Sequence, residues 1–283
     1  MSRIAIITGA SSGMGRRFAQ TAAIHVAFDE LWVIARRADR LEALSQELAG
    51  QTVRRIPMDL TDGEAMERFT RTLAAENPEI VLLVNAAGFG KFQAVEDIPR
   101  KTADSMLALN CSALMDMCYI CLPYMKAGSR VLNIASVAAF QPVPYITEYA
   151  ATKAFVLYFS RGLWKELRPK GITVTALCPY WTKTEFFNVA YTRTEKDRVT
   201  YLNAMYDPVD VVDRGWRDLL KGRDLSTFGF IARIQILLVT ILPHRLVMKV
   251  WCGQQRKMSI ERRWSILFPA SENSKPGQSL LIT

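Results

Sequence analysis

The sequence predicts an α/β protein, a doubly wound parallel sheet forming one domain, with a helical extension following it. Three observations carry this expectation. Six short apolar runs rich in β-branched residues alternate with amphipathic stretches over the first 177 residues, the signature of strands returned through helices. The first run empties directly into a glycine-rich turn and then a helical stretch. After residue 184 the alternation stops, and the chain becomes first polar and aromatic, then apolar and basic. With 283 residues, half of them hydrophobic and 22% charged, the chain has the length and composition to bury one large core.

Taken in order, residues 3–8 read as a buried strand, 9–15 as the turn and 14–28 as an amphipathic helix. Residues 31–35 are the second strand, followed by Arg36, Arg37 and a helix through Ala49. Residues 52–58 form a third, more exposed strand because it carries Arg54 and Arg55. A helix over 62–76 ends at Asn77-Pro78. The apolar run 80–84 feeds Asn85-Ala86-Ala87-Gly88, and 99–125 reads as one long helix. Strand 130–135, helix 147–167, the turn Pro169-Lys170-Gly171 and strand 172–177 complete the alternation. Nothing marks a linker before Thr184, so residues 1–225 are expected to be one unit, with 185–206 as a substrate loop. Residues 226–267 are expected to be an apolar and basic helical extension broken at Pro243, and 268–283 a disordered tail.

The net charge of +9 is concentrated late: from Lys221 onward there are ten Lys/Arg and three Asp/Glu. A basic end of this kind suits an anionic membrane surface or is a solvated terminus; nucleic acid is not an expected partner. Cys118 and Cys121 form a C-x-x-C inside an apolar stretch, without a second pair and with only two histidines in the chain. Buried reduced thiols are the expectation there, not a metal site. The apolar run 234–242 is shorter than the ~20 residues of a membrane crossing. Residues 4–7 are likewise too short for the apolar core of a signal peptide. A cytoplasmic protein, with peripheral membrane contact through its C-terminal part, is expected.

The chemistry centres on Tyr149-Ala150-Ala151-Thr152-Lys153. Four residues is about one helical turn, so phenol and ammonium share a helix face. A phenol titrates near 10, and a neighbouring cation is expected to lower that value, making the pair a general acid and base for carbonyl/alcohol interconversion. At the other end of the chain, Gly9-Ala10-Ser11-Ser12-Gly13-Met14-Gly15 lies between a strand and a helix, the context in which a glycine turn cradles a pyrophosphate.

Together these motifs resemble the short-chain dehydrogenase/reductase superfamily, over roughly residues 3–187. The resemblance implies a Rossmann-type fold and an oxidoreductase. It implies that Gly9, Gly13 and Gly15 form the cofactor turn with Ser11, Ser12 and Met14, that Asp59 and Leu60 hold the adenine, and that Asn85, Ala86 and Gly88 border the cofactor. It makes Asn110, Ser136, Tyr149 and Lys153 a catalytic tetrad. In it Ser136 fixes the substrate oxygen, Lys153 also holds the nicotinamide ribose, and Asn110 holds a water for proton resupply. Pro179, Thr182 and Thr184 would meet the nicotinamide. Arg36 and Arg37 stand where an acidic residue would select NAD, and a guanidinium suits a 2′-phosphate; NADP(H) is the expected cofactor, with Arg36 as the main determinant.

One departure concerns the pocket. Tyr180 stands where the family has a glycine after Pro179, so a ring replaces backbone freedom. Tyr180, Trp181, Phe186 and Phe187 are expected to shape a pocket for a hydrophobic carbonyl or alcohol, steroid-like or an acyl ketone, roofed by the apolar side of the C-terminal segment. A homo-oligomer, dimer or tetramer, is implied by the resemblance. Two rival readings stand beside this one: a non-catalytic NADP(H) sensor or scaffold of the same fold, and a membrane-surface binder acting through the basic end.

Overall fold

The structure is a computed structural model and describes residues 1–255. The expected tail at 268–283, and the end of the extension beyond Gln255, lie outside the described residues. Seven parallel strands run in the order β3-β2-β1-β4-β5-β6-β7. They are β1 (Arg3–Thr8), β2 (Glu30–Ala35), β3 (Val53–Pro57), β4 (Glu79–Asn85), β5 (Arg130–Ile134), β6 (Thr173–Leu177) and the short β7 (Leu225–Ser226). The strand order reverses between β1 and β4. In open parallel sheets the crevice at such a reversal, beyond the carboxyl ends of the strands, is the ligand site.

The central strands β1, β2, β4, β5 and β6 are apolar on both sides because helices cover both faces, while the edge strand β3 is only partly covered. Ile4 and Ile6 of β1 point to one face and pack with Phe69, Met117 and Val156. Ala5 and Ile7 point to the other and pack with Phe18, Leu41 and Trp216. The first face is covered by α3 (Gly63–Glu76), α4 (Arg100–Leu107), α5 (Leu114–Cys121) and α6 (Thr147–Leu167). The second carries α1 (Gly13–His25), α2 (Ala38–Glu47) and α8 (Pro208–Leu220), with α7 (Phe186–Ala190) between β6 and α8 in sequence.

Three features differ from the sequence-based expectation. The long helix over 99–125 is interrupted by a π-helical stretch, Ala108–Ala113, centred near Asn110; such insertions re-aim side chains, often at functional sites. The whole helix Arg100–Tyr124 is long and apolar enough to cross a membrane, but Met117, Cys118 and Cys121 are completely buried in the sheet core. Its apolarity is that of a core helix. The seventh strand was not expected, because two residues carry no periodicity; it is recruited by pairing, Ala176 with Leu225 and Leu177 with Ser226.

Beyond β7, α9 (Phe230–Ile241) and α10 (His244–Gln255) form a helical pair broken at Pro243. α9 leans on the turn at 137–140 that follows Ser136. The extension is thereby brought over the carboxyl ends of the central strands.

Candidate active site

The glycine turn is built by close approach. Gly9 has φ 66°, and a side chain there would meet the backbone of Ala86 and Ala87 at 2.7 Å. A Cβ at Gly15 would run into the carbonyl of Gly9. The two loops are tied by Thr8, whose Oγ1 accepts from the backbone N–H of Ala86 (3.0 Å) and Ala87 (3.3 Å). Sequence reasoning passed over Thr8; its only signal was a hydroxyl at the end of the first strand.

Gly13 and Thr184 face each other across this cradle, with a Cβ at Gly13 only 3.4 Å from Thr184. Thr182 is buried and donates to the Tyr180 carbonyl at 2.9 Å. The Pro179 carbonyl accepts from the N–H of Val137, so the segment after β6 is bound to the turn after β5. Leu60 is buried, and Asp59 Oδ1 accepts from the N–H and hydroxyl of Thr61.

The arginines are distributed differently from the expectation. Arg36 is 73% exposed and reaches only Asp59, at 3.7 Å. Arg37 lies over the turn: its guanidinium donates to Ser11 Oγ (3.0 Å) and Ser12 Oγ (2.9 Å), and to Glu185 at 3.0 Å. Arg40 approaches the same carboxylate at 3.7 Å. Two adjacent residues at a strand end point opposite ways, and only the structure shows that Arg37 is the inward one.

Asn85 also points away from the crevice. Its Nδ2 donates to Asn133 Oδ1 at 2.9 Å, and Asn133 in turn donates to Ser160, all within the core. This polar network spans β4, β5 and α6.

Ser136, Tyr149 and Lys153 do converge. Ser136 and Tyr149 line one apolar cavity together with Tyr180, Trp181, Phe186 and Phe187; Met14 and Thr184 border it from the cradle side. Lys153 is buried beneath, its Nζ donating to the Ile134 carbonyl at 2.7 Å and standing 5.7 Å from the Tyr149 ring centre. Gly90, unremarked in the sequence, is required here: a Cβ would come within 2.8 Å of the Tyr149 ring.

Electrostatically the site does not follow the simple expectation that Lys153 depresses the Tyr149 pKa. Burial pushes the phenol up to about 12, opposed by the hydrogen bond with Ser136. Burial pulls the Lys153 ammonium down to about 8. Burial disfavours the charged form of each group, so the phenol stays neutral and the ammonium gives up its proton more readily than a free lysine does.

Asn110 lies between the loop after β4 and α6. Its side chain is completely buried. Nδ2 donates to the Phe89 carbonyl (2.8 Å) and to Thr152 Oγ1 (3.0 Å), and Oδ1 accepts from the Phe89 N–H (3.0 Å). Both amide protons are committed, so the side chain clamps the loop after Gly88 to α6 between Tyr149 and Lys153. A Cβ at Gly88 would stand 2.9 Å from Asn110 Oδ1.

The sequence profile of the family described as short chain dehydrogenase matches residues 3–195. Serine 3-dehydrogenase of Rhizobium radiobacter is 37% identical over 191 residues, 66% of this chain and 74% of that protein. A very-long-chain 3-oxoacyl-CoA reductase of Anas platyrhynchos is 33% identical over 210 residues, 71% of this chain; the match spans about two thirds (66%) of the duck protein. Among solved structures, a short-chain dehydrogenase from Sphingobium yanoikuyae in complex with NADPH superposes with a TM-score of 0.71 at 28% identity. That superposition covers 84% of this chain and 92% of the other.

Proposed function

The chain belongs to the short-chain dehydrogenase family, and from that premise we propose that it is an NADP(H)-dependent reductase of a hydrophobic ketone. The observation that carries the reading is the placement of Ser136 and Tyr149 on the wall of an apolar cavity, beside a glycine cradle and above a buried lysine. The residues fit the cofactor. Gly9 and Gly15 let the turn close tightly on itself and on the loop at Ala86 and Ala87, the backbone a pyrophosphate cradle needs, and Arg37 with Ser11 supplies donors matched to a 2′-phosphate. No carboxylate ends β2, as NAD selection would ask.

The glycine turn and Arg37 would hold NADPH, which would supply the hydride for the carbonyl carbon. Tyr149 gives its phenolic proton to the carbonyl oxygen, so ketone and NADPH become secondary alcohol and NADP⁺. Ser136 donates to the same oxygen and holds it beside the phenol. Lys153 in its ammonium form, a readier donor for its lowered pKa, resupplies the proton to Tyr149. Asn110 keeps the loop and α6 in register.

The substrate class follows from the walls: Trp181, Phe186, Phe187 and Trp251 offer apolar surface and no charge. Kinship does not choose between substrates, since relatives include both a 3-oxoacyl-CoA reductase and a serine 3-dehydrogenase; the uncharged apolar walls favour an acyl ketone over a polar amino acid. The exposed aromatic residues Tyr119, Phe155 and Tyr158 on α5 and α6 support self-association through these helices. The exposed apolar residues of α9 and α10, next to Arg245 and Lys249, support peripheral contact with anionic membrane.

The test is NADPH consumption over a panel of apolar ketones with the wild type and Tyr149→Phe. Loss of the acid should lower kcat by about 10²–10⁴-fold while NADPH binding, read by fluorescence, stays within twofold. A variant that turns over at the wild-type rate would remove Tyr149 from the chemistry.

A further inference from the structure

We infer that the cleft between α9 and α10 is a binding site for the unbranched hydrocarbon tail of the substrate, entered from the catalytic cavity past Tyr180. The inference rests on the reductase reading above. It concerns residues beyond the 3–195 stretch that the family profile covers.

Two cavities meet here. The catalytic one is small, about 100 Å³, well below the ~300 Å³ from which pockets for whole small molecules begin. The second, between the two C-terminal helices, is about 430 Å³. They share walls formed by Gln141, Tyr180, Gln235 and Trp251, so they adjoin across these side chains. The second is walled by aliphatic side chains such as Ile234, Leu238, Leu246 and Val250, with no charged side chain among its lining residues. Taking about 30 Å³ per methylene-sized group, as for a water, it has room for about a dozen carbons.

The waist between them is built, not accidental. The Tyr180 hydroxyl donates to Asn203 Oδ1 and stands 2.9 Å from Gln235 Oε1, joining the segment after β6 to the loop before α8 and to α9. Trp251 closes the other side, stacked at 6.4 Å on Trp181 and donating to the Pro144 carbonyl. A fused-ring substrate has no narrow end to pass this waist and no volume in the first cavity. A linear acyl chain fits both: carbonyl at Ser136 and Tyr149, tail between the helices. Tyr180, in place of the family's glycine, is thereby a determinant of substrate shape.

The experiment is a chain-length series of 3-oxoacyl thioesters, from four to sixteen carbons, with the full chain and NADPH. Each methylene drawn into the cleft should raise kcat/KM by about threefold, until the cleft is filled. Leu238→Glu on α9 and Leu246→Glu on α10, both about half exposed, place a carboxylate in the cleft without disturbing the core. Each should lower kcat/KM for the twelve- and sixteen-carbon substrates by at least tenfold and for the four-carbon one by less than twofold. Leu237→Glu, on α9 but outside the cleft, should leave the length profile intact. A flat wild-type profile, or equal losses at all lengths, would overturn the tail site and leave the reductase standing. If no thioester is reduced at any length, binding of parinarate, a linear fatty acid made fluorescent by its own conjugated chain, decides. Binding lost in Leu238→Glu and kept in Leu237→Glu supports the cleft; binding that is absent, or the same in both variants, overturns it.

Discussion

α6 and α9 are both helices near the active site, and they invert the usual relation between polarity and burial. α6 buries Thr152, Lys153 and Ser160 together with Val156 and Leu157. α9 is almost wholly apolar, yet only Ala232 and Val239 are buried, while Phe230, Leu237, Leu238 and Ile241 are open to solvent. Buried polar groups are costly unless satisfied, and those of α6 are satisfied: Lys153 on Ile134, Thr152 with Asn110, Ser160 with Asn133. An exposed apolar face costs little by itself and has use only with an occupant. Each helix departs from the simple rule at the place for which a function is proposed above: α6 through its buried lysine, α9 through its open face.

The largest expected effect that tests this contrast is on α6. Lys153→Met should lower kcat by about 10²–10⁴-fold, as loss of a proton-relay group does. It should also raise stability at pH 7. The Lys153 pKa falls from its ordinary value to about 8 on folding, so below that pH folding must either bury the charge or release its proton. Between pH 8 and the ordinary lysine value near 10.4, the unfolded chain holds more protons than the folded one, and stability rises with pH. The variant's advantage in thermal unfolding should therefore be full below pH 8 and shrink as pH rises above it. A variant that is less stable than wild type at pH 7 would show that the Ile134 hydrogen bond outweighs the burial of charge.

A smaller effect is expected at the cofactor side. Arg37→Ala should weaken NADPH binding by about 10–100-fold, the worth of one or two charge-assisted hydrogen bonds. Arg36→Ala should weaken it by less than threefold, because that side chain points to solvent and Asp59. NADH binding should change by less than threefold in both. Titration of cofactor fluorescence measures all four values, and equal losses for NADPH and NADH in Arg37→Ala would detach Arg37 from the 2′-phosphate.

The sheet, the glycine turn and the shared helix face of Tyr149 and Lys153 were legible because each rests on local spacing, whereas Ser136 was placed beside them by the family resemblance. An apolar run, a Gly-x-x-x-Gly-x-Gly turn and a four-residue helical interval specify geometry within a few residues. What was not legible depends on distant partners. Arg36 and Arg37 are equivalent in sequence; Ser11, Ser12 and Glu185 make Arg37 the inward one. Lys153 next to Tyr149 suggests a lowered phenol pKa, but burial, set by the whole fold, moves it the other way. Asn110 was placed in a helix, but its engagement with Phe89 depends on the π-helical stretch. Gly90 had no motif at all, since its need is the Tyr149 ring packed against it.

The smallest expected effect sharpens the comparison most. The same substitution, Leu→Ala, can be made on both helices. Leu157 on α6 is 3% exposed, and its truncation should cost about 2–5 kcal/mol through lost burial and a residual cavity. Leu237 on α9 is 56% exposed, and its truncation should shift stability by no more than about 0.5 kcal/mol. Urea unfolding of both variants measures the pair. The outward position of Leu237 and Ile241 then gives the membrane proposal its own test. In the double variant Leu237→Asp/Ile241→Asp two apolar groups are lost and two negative charges added to a segment, 230–255, whose charged residues are Arg233, Arg245 and Lys249, so sedimentation with vesicles of anionic phospholipid should fall at least tenfold. Reduction of a short soluble ketone should stay within twofold, since neither residue borders either cavity. If the double variant sediments with vesicles as the wild type does, the open face of α9 is not a membrane contact. A Leu237→Ala loss as large as that of Leu157→Ala would mean that this face is already covered in solution by another surface.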